Sequence, residues 1–230
     1  MYLNKTIIIP LISLIIFSCK NQGDKPDTNI VEKTIIVKEK EVENLPYFNT
    51  PDFAPTWLNN DLDDKEFHKI PEFSFQNQLG ETVTNATFNN KIYIASFFFT
   101  TCADICLQMT DNMRKLQKTY TNQDDIMFLS HTVMPSVDNV KVLKEYGDRQ
   151  SIDPKKWQLV TGDKDKIYEM AREAYFADDL YKQTQDKSRF VHTENFMLID
   201  KKGHIRGVYD GTLPAELNRI ERHIAILKKE

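Results

Sequence analysis

The sequence predicts an α/β fold with a central mixed sheet flanked by helices and an N-terminal hairpin extension. Two observations support this prediction. Residues 91–99 (KIYIASFFF) form a nearly continuous apolar run rich in β-branched and aromatic residues, which is typical of a strand buried on both faces. Apolar residues then recur at spacings of three and four from Cys106 to Tyr120, which predicts an amphipathic helix directly after that strand.

Strands and helices alternate along the rest of the chain. Residues 73–75 and 82–84 flank a turn at Gly80, which predicts the N-terminal hairpin. The later elements are, in chain order, a strand at 126–130, a helix from Ser136 to Tyr146 that ends at Gly147, a strand at 157–161, a helix capped by Asp163, a hairpin of 196–200 with 205–209, and a last helix starting near Thr212 and Pro214. Two βα units followed by a hairpin and a helix indicate a thioredoxin-like fold.

Composition restricts the functional classes. The 230 residues carry a net charge of −4, which argues against a nucleic-acid-binding protein. The cysteines are Cys19, Cys102 and Cys106. Three cysteines cannot form a disulfide-scaffold protein, and they exclude a four-cysteine zinc site.

The N-terminus predicts export. Lys5 precedes about 12 largely apolar residues, a run too short to span a bilayer, which needs about 20, so residues 1–18 are interpreted as a signal peptide. The run ends at Ser18-Cys19, which resembles the lipobox of bacterial lipoproteins. This resemblance implies lipidation of Cys19 and a membrane-anchored lipoprotein whose folded domain faces the periplasm. The alternatives are an ordinary cleaved signal peptide or a free thiol.

Three segments follow the signal peptide. Residues 19–44 are polar and rich in alternating charge, which predicts a flexible tether. Residues 45–67 mix prolines with aromatic residues, which is typical of an extended segment lying on a domain surface. Residues 68–230 then form the thioredoxin-like domain.

Cys102 and Cys106 are the main candidate site residues. Their i, i+4 spacing places both sulfur atoms one turn apart on the same face of a helix, where they can close a redox-active disulfide or bind a soft metal ion. Cys102 stands where the strand ends and the helix begins, so the helix dipole favours its thiolate. Thiolates select Cu(I), and a histidine as third ligand would also allow Cu(II). The alternative is two small apolar residues at a helix end.

Four segments resemble the Sco/SenC family over roughly residues 68–225. They are FFFTTCADIC at 97–106, NVKVLKEYG at 139–147, WQLVTG at 157–162, and the stretch from Val191-His192-Thr193 through Leu198-Ile199-Asp200 to Gly203. The resemblance implies a membrane-tethered domain with copper held by Cys102, Cys106 and His192. It also implies a role in maturing the copper centre of cytochrome c oxidase. The partner would be the copper subunit of the oxidase or another copper protein.

The chain departs from the family pattern beside these residues. Ala103 and Leu107 replace the prolines that usually follow each cysteine, which predicts a more mobile loop and a different redox poise. Val191 stands where the family often has an aspartate that orients the histidine. His131 follows the strand at 126–130, where parallel strands end at one edge, so it is a candidate auxiliary ligand or proton donor near Cys102. The alternative is a loop histidine bonded to the backbone.

Three functions fit these residues. The first is a copper-binding assembly factor, a metallochaperone rather than an enzyme, that passes Cu(I) to a partner by ligand exchange. The second is a thiol–disulfide oxidoreductase, in which Cys102 attacks a partner disulfide and Cys106 resolves the mixed disulfide. The third is a thiol peroxidase, which Thr100-Thr101-Cys102 only faintly resembles.

Overall fold

A seven-stranded mixed sheet forms the centre of the computed structural model, which describes residues 44–58, 66–185 and 193–230. The strands are β1 (Tyr47–Phe48), β2 (Pro55–Thr56), β3 (Ser74–Asn77), β4 (Thr82–Thr84), β5 (Ile92–Phe98), β6 (Ile126–Thr132), β7 (Trp157–Thr161), β8 (Asn195–Ile199) and β9 (Ile205–Asp210). The α-helices are α1 (Ile105–Thr119), α2 (Val140–Arg149), α3 (Lys164–Glu169), α4 (Asp179–Thr184) and α5 (Ala215–Leu227). Within the described ranges, no helix combines the length and apolarity needed to cross a membrane.

The strand order in the large sheet is β4-β3-β7-β6-β5-β8-β9. Strands β5, β6 and β7 are parallel, whereas β3, β4, β8 and β9 join through antiparallel pairings. The sheet is therefore mixed, as the sequence predicts, and the N-terminal hairpin of β3 and β4 extends one edge. The parallel register pairs Phe98 at the end of β5 with Thr132 at the end of β6, so both strands end at the same edge.

The sheet separates two apolar cores, because side chains alternate between its faces along each strand. Helices α1, α2 and α5 cover one face. That core includes Ile94, Phe98, Met113, Tyr146 and Ile224. Helix α3 and the π-helical turn Met170–Ala174 cover the other face. The second core includes Phe75, Phe97, Leu129, Ile167 and Tyr175.

Helix α2 differs from the sequence prediction at both ends. Asn139, rather than Ser136, is the N-cap, and its side chain accepts a hydrogen bond from the Val142 N–H at 3.1 Å. The helix continues past Gly147 to Arg149. Gly147 faces β7, where an added Cβ would make an ordinary van der Waals contact with Leu159 at 3.7 Å. It does not adopt the left-handed conformation by which a glycine ends a helix, so α2 continues through it.

Two further features were not predicted. Helix α4 has no buried residue, so it lacks the apolar stripe by which a helix is recognised in a sequence. The segment before the domain contributes to the core, because Leu45 and Tyr47 are buried. Arg206 on β9 donates to the backbone carbonyls of Leu45 at 2.8 Å and Pro46 at 3.1 Å, and its guanidinium lies 4.0 Å from the centre of the Tyr47 ring.

Candidate functional site

The cysteine pair lies at the junction of β5 and α1. A turn follows β5, in which the Cys102 N–H donates to the Phe99 carbonyl at 3.3 Å. Helix α1 then buries an apolar stripe that begins with Cys106 and continues through Met109 and Met113. Cys106 is therefore fixed in the core, whereas Cys102, which precedes the helix, remains partly exposed.

The Cys102 sulfur acts as an acceptor at the helix N-terminus. Asp104 is the N-cap residue, but its side chain makes no capping hydrogen bond. The Cys106 N–H instead donates to the Cys102 sulfur, with a nitrogen–sulfur distance of 3.4 Å. Helix N-terminal N–H groups stabilise negative charge, so this position favours a thiolate.

The two thiols have opposite pKa shifts. Burial opposes ionisation of Cys102, but the Asp104 backbone and the Cys106 side chain and backbone outweigh it and lower the pKa of the Cys102 thiol. Burial, followed by the neighbouring Cys102 side chain, raises the pKa of Cys106 to about 12. Both shifts favour the same state, in which Cys102 carries the negative charge and Cys106 keeps its proton. Both cysteines are free thiols.

His131 lies on the other side of the sheet. It is the sixth residue of β6 and is fully buried in the second core. Its ring stacks on Phe97 at 5.0 Å between centres and meets the Phe75 ring edge-on at 5.6 Å. Cys106 belongs to the core of the opposite face. The strands do end at one edge, but the side-chain alternation of β6 directs His131 away from the cysteine pair.

The His131 ring has no hydrogen bond. Neither ring nitrogen has a partner among the described residues, and the ring is not the backbone-bonded loop histidine considered as the alternative. Burial lowers the pKa of His131 to about 3, and the Ser96 backbone offsets this only in part without forming a hydrogen bond of normal geometry. The ring is therefore neutral at physiological pH.

Two predicted site residues lie outside the described residues. They are Cys19, the predicted lipidation site, and His192, the predicted third copper ligand. In the ranges that the structure describes, no group of three or more His, Cys, Asp or Glu side chains is arranged to hold a metal ion. The described part of the site is thus the cysteine pair.

Asp138 is a residue beside the site that the sequence analysis overlooked. Its side chain is fully buried and accepts hydrogen bonds from Thr100, two residues before Cys102. It directly precedes the N-cap Asn139, so by sequence it resembles another residue of a helix start. A buried acid between the polar residues of a loop has no local pattern that would reveal it.

Comparisons with known proteins identify the family. The SCO1/SenC family model matches residues 62–226. A SCO1/SenC family lipoprotein from Bacillus anthracis is 29% identical, with a TM-score of 0.62 over 70% of this chain and 95% of the lipoprotein. BsSco, described as a member of the Sco family of cytochrome c oxidase assembly proteins, is 24% identical, with a TM-score of 0.60 over 74% of this chain and 100% of BsSco.

Yeast Sco1 with copper bound has the same fold. It is 22% identical, with a TM-score of 0.53 over 69% of this chain and 89% of the yeast chain. The structural neighbours are thioredoxin-like, which confirms the predicted fold class. Because the family model covers well over half of the sequence, this chain belongs to the SCO1/SenC family.

Proposed function

We propose that the protein binds copper through Cys102, Cys106 and His192 and delivers it to the copper centre of cytochrome c oxidase during assembly. The observation that carries this proposal is the cysteine pair, two free thiols of which Cys102 lies just before α1 and Cys106 in its first turn. The Cys102 sulfur lies 3.4 Å from the Cys106 nitrogen, and a thiolate is favoured on Cys102. Membership of the SCO1/SenC family and the copper bound to yeast Sco1 support it.

The chemistry of the pair fits Cu(I) as cargo. Two thiolates are soft ligands, and they select Cu(I) over harder metal ions. Cys106 is protonated in the free protein, so its ligation must release a proton, which makes copper affinity increase with pH. The partly exposed Cys102 sulfur is the atom that a partner's thiolate or imidazole can approach first, which allows transfer by stepwise ligand exchange.

The proposed location is the periplasmic face of a membrane. A lipid on Cys19 would anchor the chain, and residues 19–44 would tether the domain at residues 68–230. The similarity to a SCO1/SenC family lipoprotein supports this arrangement. The recipient would be the copper subunit of the oxidase or another copper protein.

An anaerobic Cu(I) titration of the reduced protein tests the copper site. We expect one tight equivalent, its loss in Cys102→Ser and in Cys106→Ser, and a 10–100-fold weaker affinity in His192→Ala. His131→Leu is the matched control, because it removes an imidazole on the opposite face of the sheet. Absence of tight binding in the parent, or an unchanged affinity in both serine variants, would overturn the proposal.

The opposite pKa shifts of the two thiols favour a second candidate function, reduction of a partner disulfide. The Cys102 thiolate would attack one sulfur of that disulfide and release the other as a thiolate, which takes up a proton. Cys106 would lose its proton and attack the Cys102 sulfur, so that the pair is oxidised by two electrons and the partner leaves as a dithiol. Cys106→Ser would then accumulate a mixed disulfide at Cys102, and the absence of this adduct would exclude the function.

A further inference from the structure

A fully buried carboxylate contacts the turn that carries the cysteine pair. Asp138 accepts hydrogen bonds from the Thr100 N–H at 3.1 Å and the Thr100 hydroxyl at 2.5 Å, and a third, shorter one from the Thr132 hydroxyl. In the described part of the chain, no basic side chain forms an ion pair with this carboxylate. A buried carboxylate is costly unless its oxygen atoms are satisfied, so these neutral donors stabilise its position.

The donors come from the turn after β5 and from the end of β6, at the same edge of the sheet. Thr132 is the last residue of β6 and pairs with Phe98, the last residue of β5. The Val133 N–H donates to the Phe98 carbonyl at 2.9 Å, and the Met134 N–H donates to the Thr132 hydroxyl at 3.0 Å. The carboxylate of Asp138 thus joins the loop after β6 to the turn after β5.

Thr100 lies within the turn that presents Cys102. That turn is closed by the hydrogen bond from the Cys102 N–H to the Phe99 carbonyl. Asp138 accepts hydrogen bonds from both the main chain and the hydroxyl of Thr100. It therefore restrains the backbone of the turn and the side-chain rotamer of Thr100. The backbone of this turn determines where the Cys102 sulfur lies relative to α1. The sulfur lies 3.4 Å from the Cys106 nitrogen.

We propose that Asp138 is a positioning residue for the cysteine pair, because it anchors the Thr100 turn and thereby holds the Cys102 sulfur over the first turn of α1, beside Cys106. The inference rests on the proposed function, in which the two cysteines act as one unit on a copper ion or on a disulfide. Both actions need two sulfur atoms held together. A freed turn lowers the effective concentration of one sulfur at the other.

Four variants test this role. Asp138→Asn keeps the shape but replaces one acceptor oxygen by a donor, and Thr100→Val removes the hydroxyl donor from the other side of the contact. Thr100→Ser keeps both the N–H and the hydroxyl donor, so it should bind Cu(I) and close the disulfide as the parent does. Asn139→Ala is the matched control, since it removes the neighbouring α2 cap without touching Thr100.

Two equilibria are measured on each variant, with thermal unfolding to verify folding. They are the Cu(I) dissociation constant, by competition with a chelator, and the constant for closing the Cys102–Cys106 disulfide in glutathione buffers. In Asp138→Asn and Thr100→Val we expect Cu(I) binding to weaken about tenfold. Disulfide closure should become about tenfold less favourable, a potential about 30 mV more positive. Thr100→Ser and Asn139→Ala should stay within threefold of the parent.

The outcomes separate this inference from the proposed function. Changes below threefold in both Asp138→Asn and Thr100→Val would overturn the positioning role, as would equal changes in Asn139→Ala. If Asp138→Asn does not fold, the contrast between Thr100→Val and Thr100→Ser decides. If the parent binds no copper, the copper proposal fails, and the glutathione equilibria still decide the role of Asp138.

Discussion

The buried imidazole of His131 should make the protein sensitive to mild acid. Burial lowers the pKa of His131 to about 3, whereas an unfolded histidine has a pKa near 6.5. The unfolded chain therefore takes up a proton that the folded chain cannot accept. The stability that follows from the neutral ring is present above pH 6.5 and is lost as the pH falls from 6.5 towards 3.

The size of this loss follows from the two pKa values. Each pH unit between them costs about 1.4 kcal/mol, so lowering the pH from 7.5 to 5 should lower the free energy of unfolding by about 2 kcal/mol through His131 alone. His131→Leu has a similar volume and cannot titrate. It should remove this component, and it also removes two unpaired ring nitrogens whose burial costs about 1–3 kcal/mol.

Urea unfolding of the parent and His131→Leu at pH 7.5 and pH 5 measures the effect. The informative quantity is the difference between the two pH values, because a constant packing cost cancels from it. Phe97→Leu is the matched control, since it alters the ring stacked on His131 without removing the titrating group. Equal acid sensitivity of the parent and His131→Leu, within about 0.5 kcal/mol, would refute the reasoning.

Three further outcomes are expected. At pH 7.5, iodoacetamide should alkylate Cys102 in the Cys106→Ser variant at least tenfold faster than it alkylates Cys106 in the Cys102→Ser variant. The reason is that only Cys102 has a lowered pKa. Mass spectrometry measures both rates, and equal rates would contradict this expectation. Arg206→Gln should lower the free energy of unfolding by about 3–5 kcal/mol, because it leaves the buried Asp200 carboxylate and the Leu45 carbonyl without their partner; a loss below about 1 kcal/mol would contradict it. Cys19→Ser should move the protein from the membrane to the soluble fraction, and unchanged fractionation would exclude a lipid anchor at this residue.

Local patterns were sufficient to predict several strands and one helix cap. The apolar run at 91–99 became β5, and the predicted strand at 157–161 has the bounds of β7. Asp163 caps α3 as expected, since its side chain accepts from the Lys166 N–H at 3.0 Å. These features depend on residues within one turn or one strand, where periodicity and capping chemistry act directly.

Residues whose role depends on another element were harder to interpret. The side-chain alternation of β6 places His131 on the same face of the sheet as Met127 and Leu129, which are both buried. The sequence prediction ended this strand at residue 130 and therefore treated His131 as a candidate ligand after the strand. A fully buried ring without a hydrogen bond is rare, so local reasoning favours exposure for such a residue. Its aromatic neighbours Phe97 and Tyr175 come from distant parts of the chain and cannot be inferred from β6 alone.

The contact between Asp138 and Thr100 bears on the mobility predicted for the site. Ala103 and Leu107 replace prolines that would fix the backbone on the C-terminal side of each cysteine, and this loss of stiffness remains a prediction. The Asp138 carboxylate restrains the N-terminal side of Cys102 instead, through a tertiary contact. The Asp138 contact fixes the backbone before Cys102. The backbone between Cys102 and α1 is therefore less restrained than it would be with a proline at position 103. Ala103→Pro should therefore make closure of the Cys102–Cys106 disulfide in glutathione buffers more favourable even with Asp138 intact. The effects of the proline and of the Asp138 contact on this equilibrium should add.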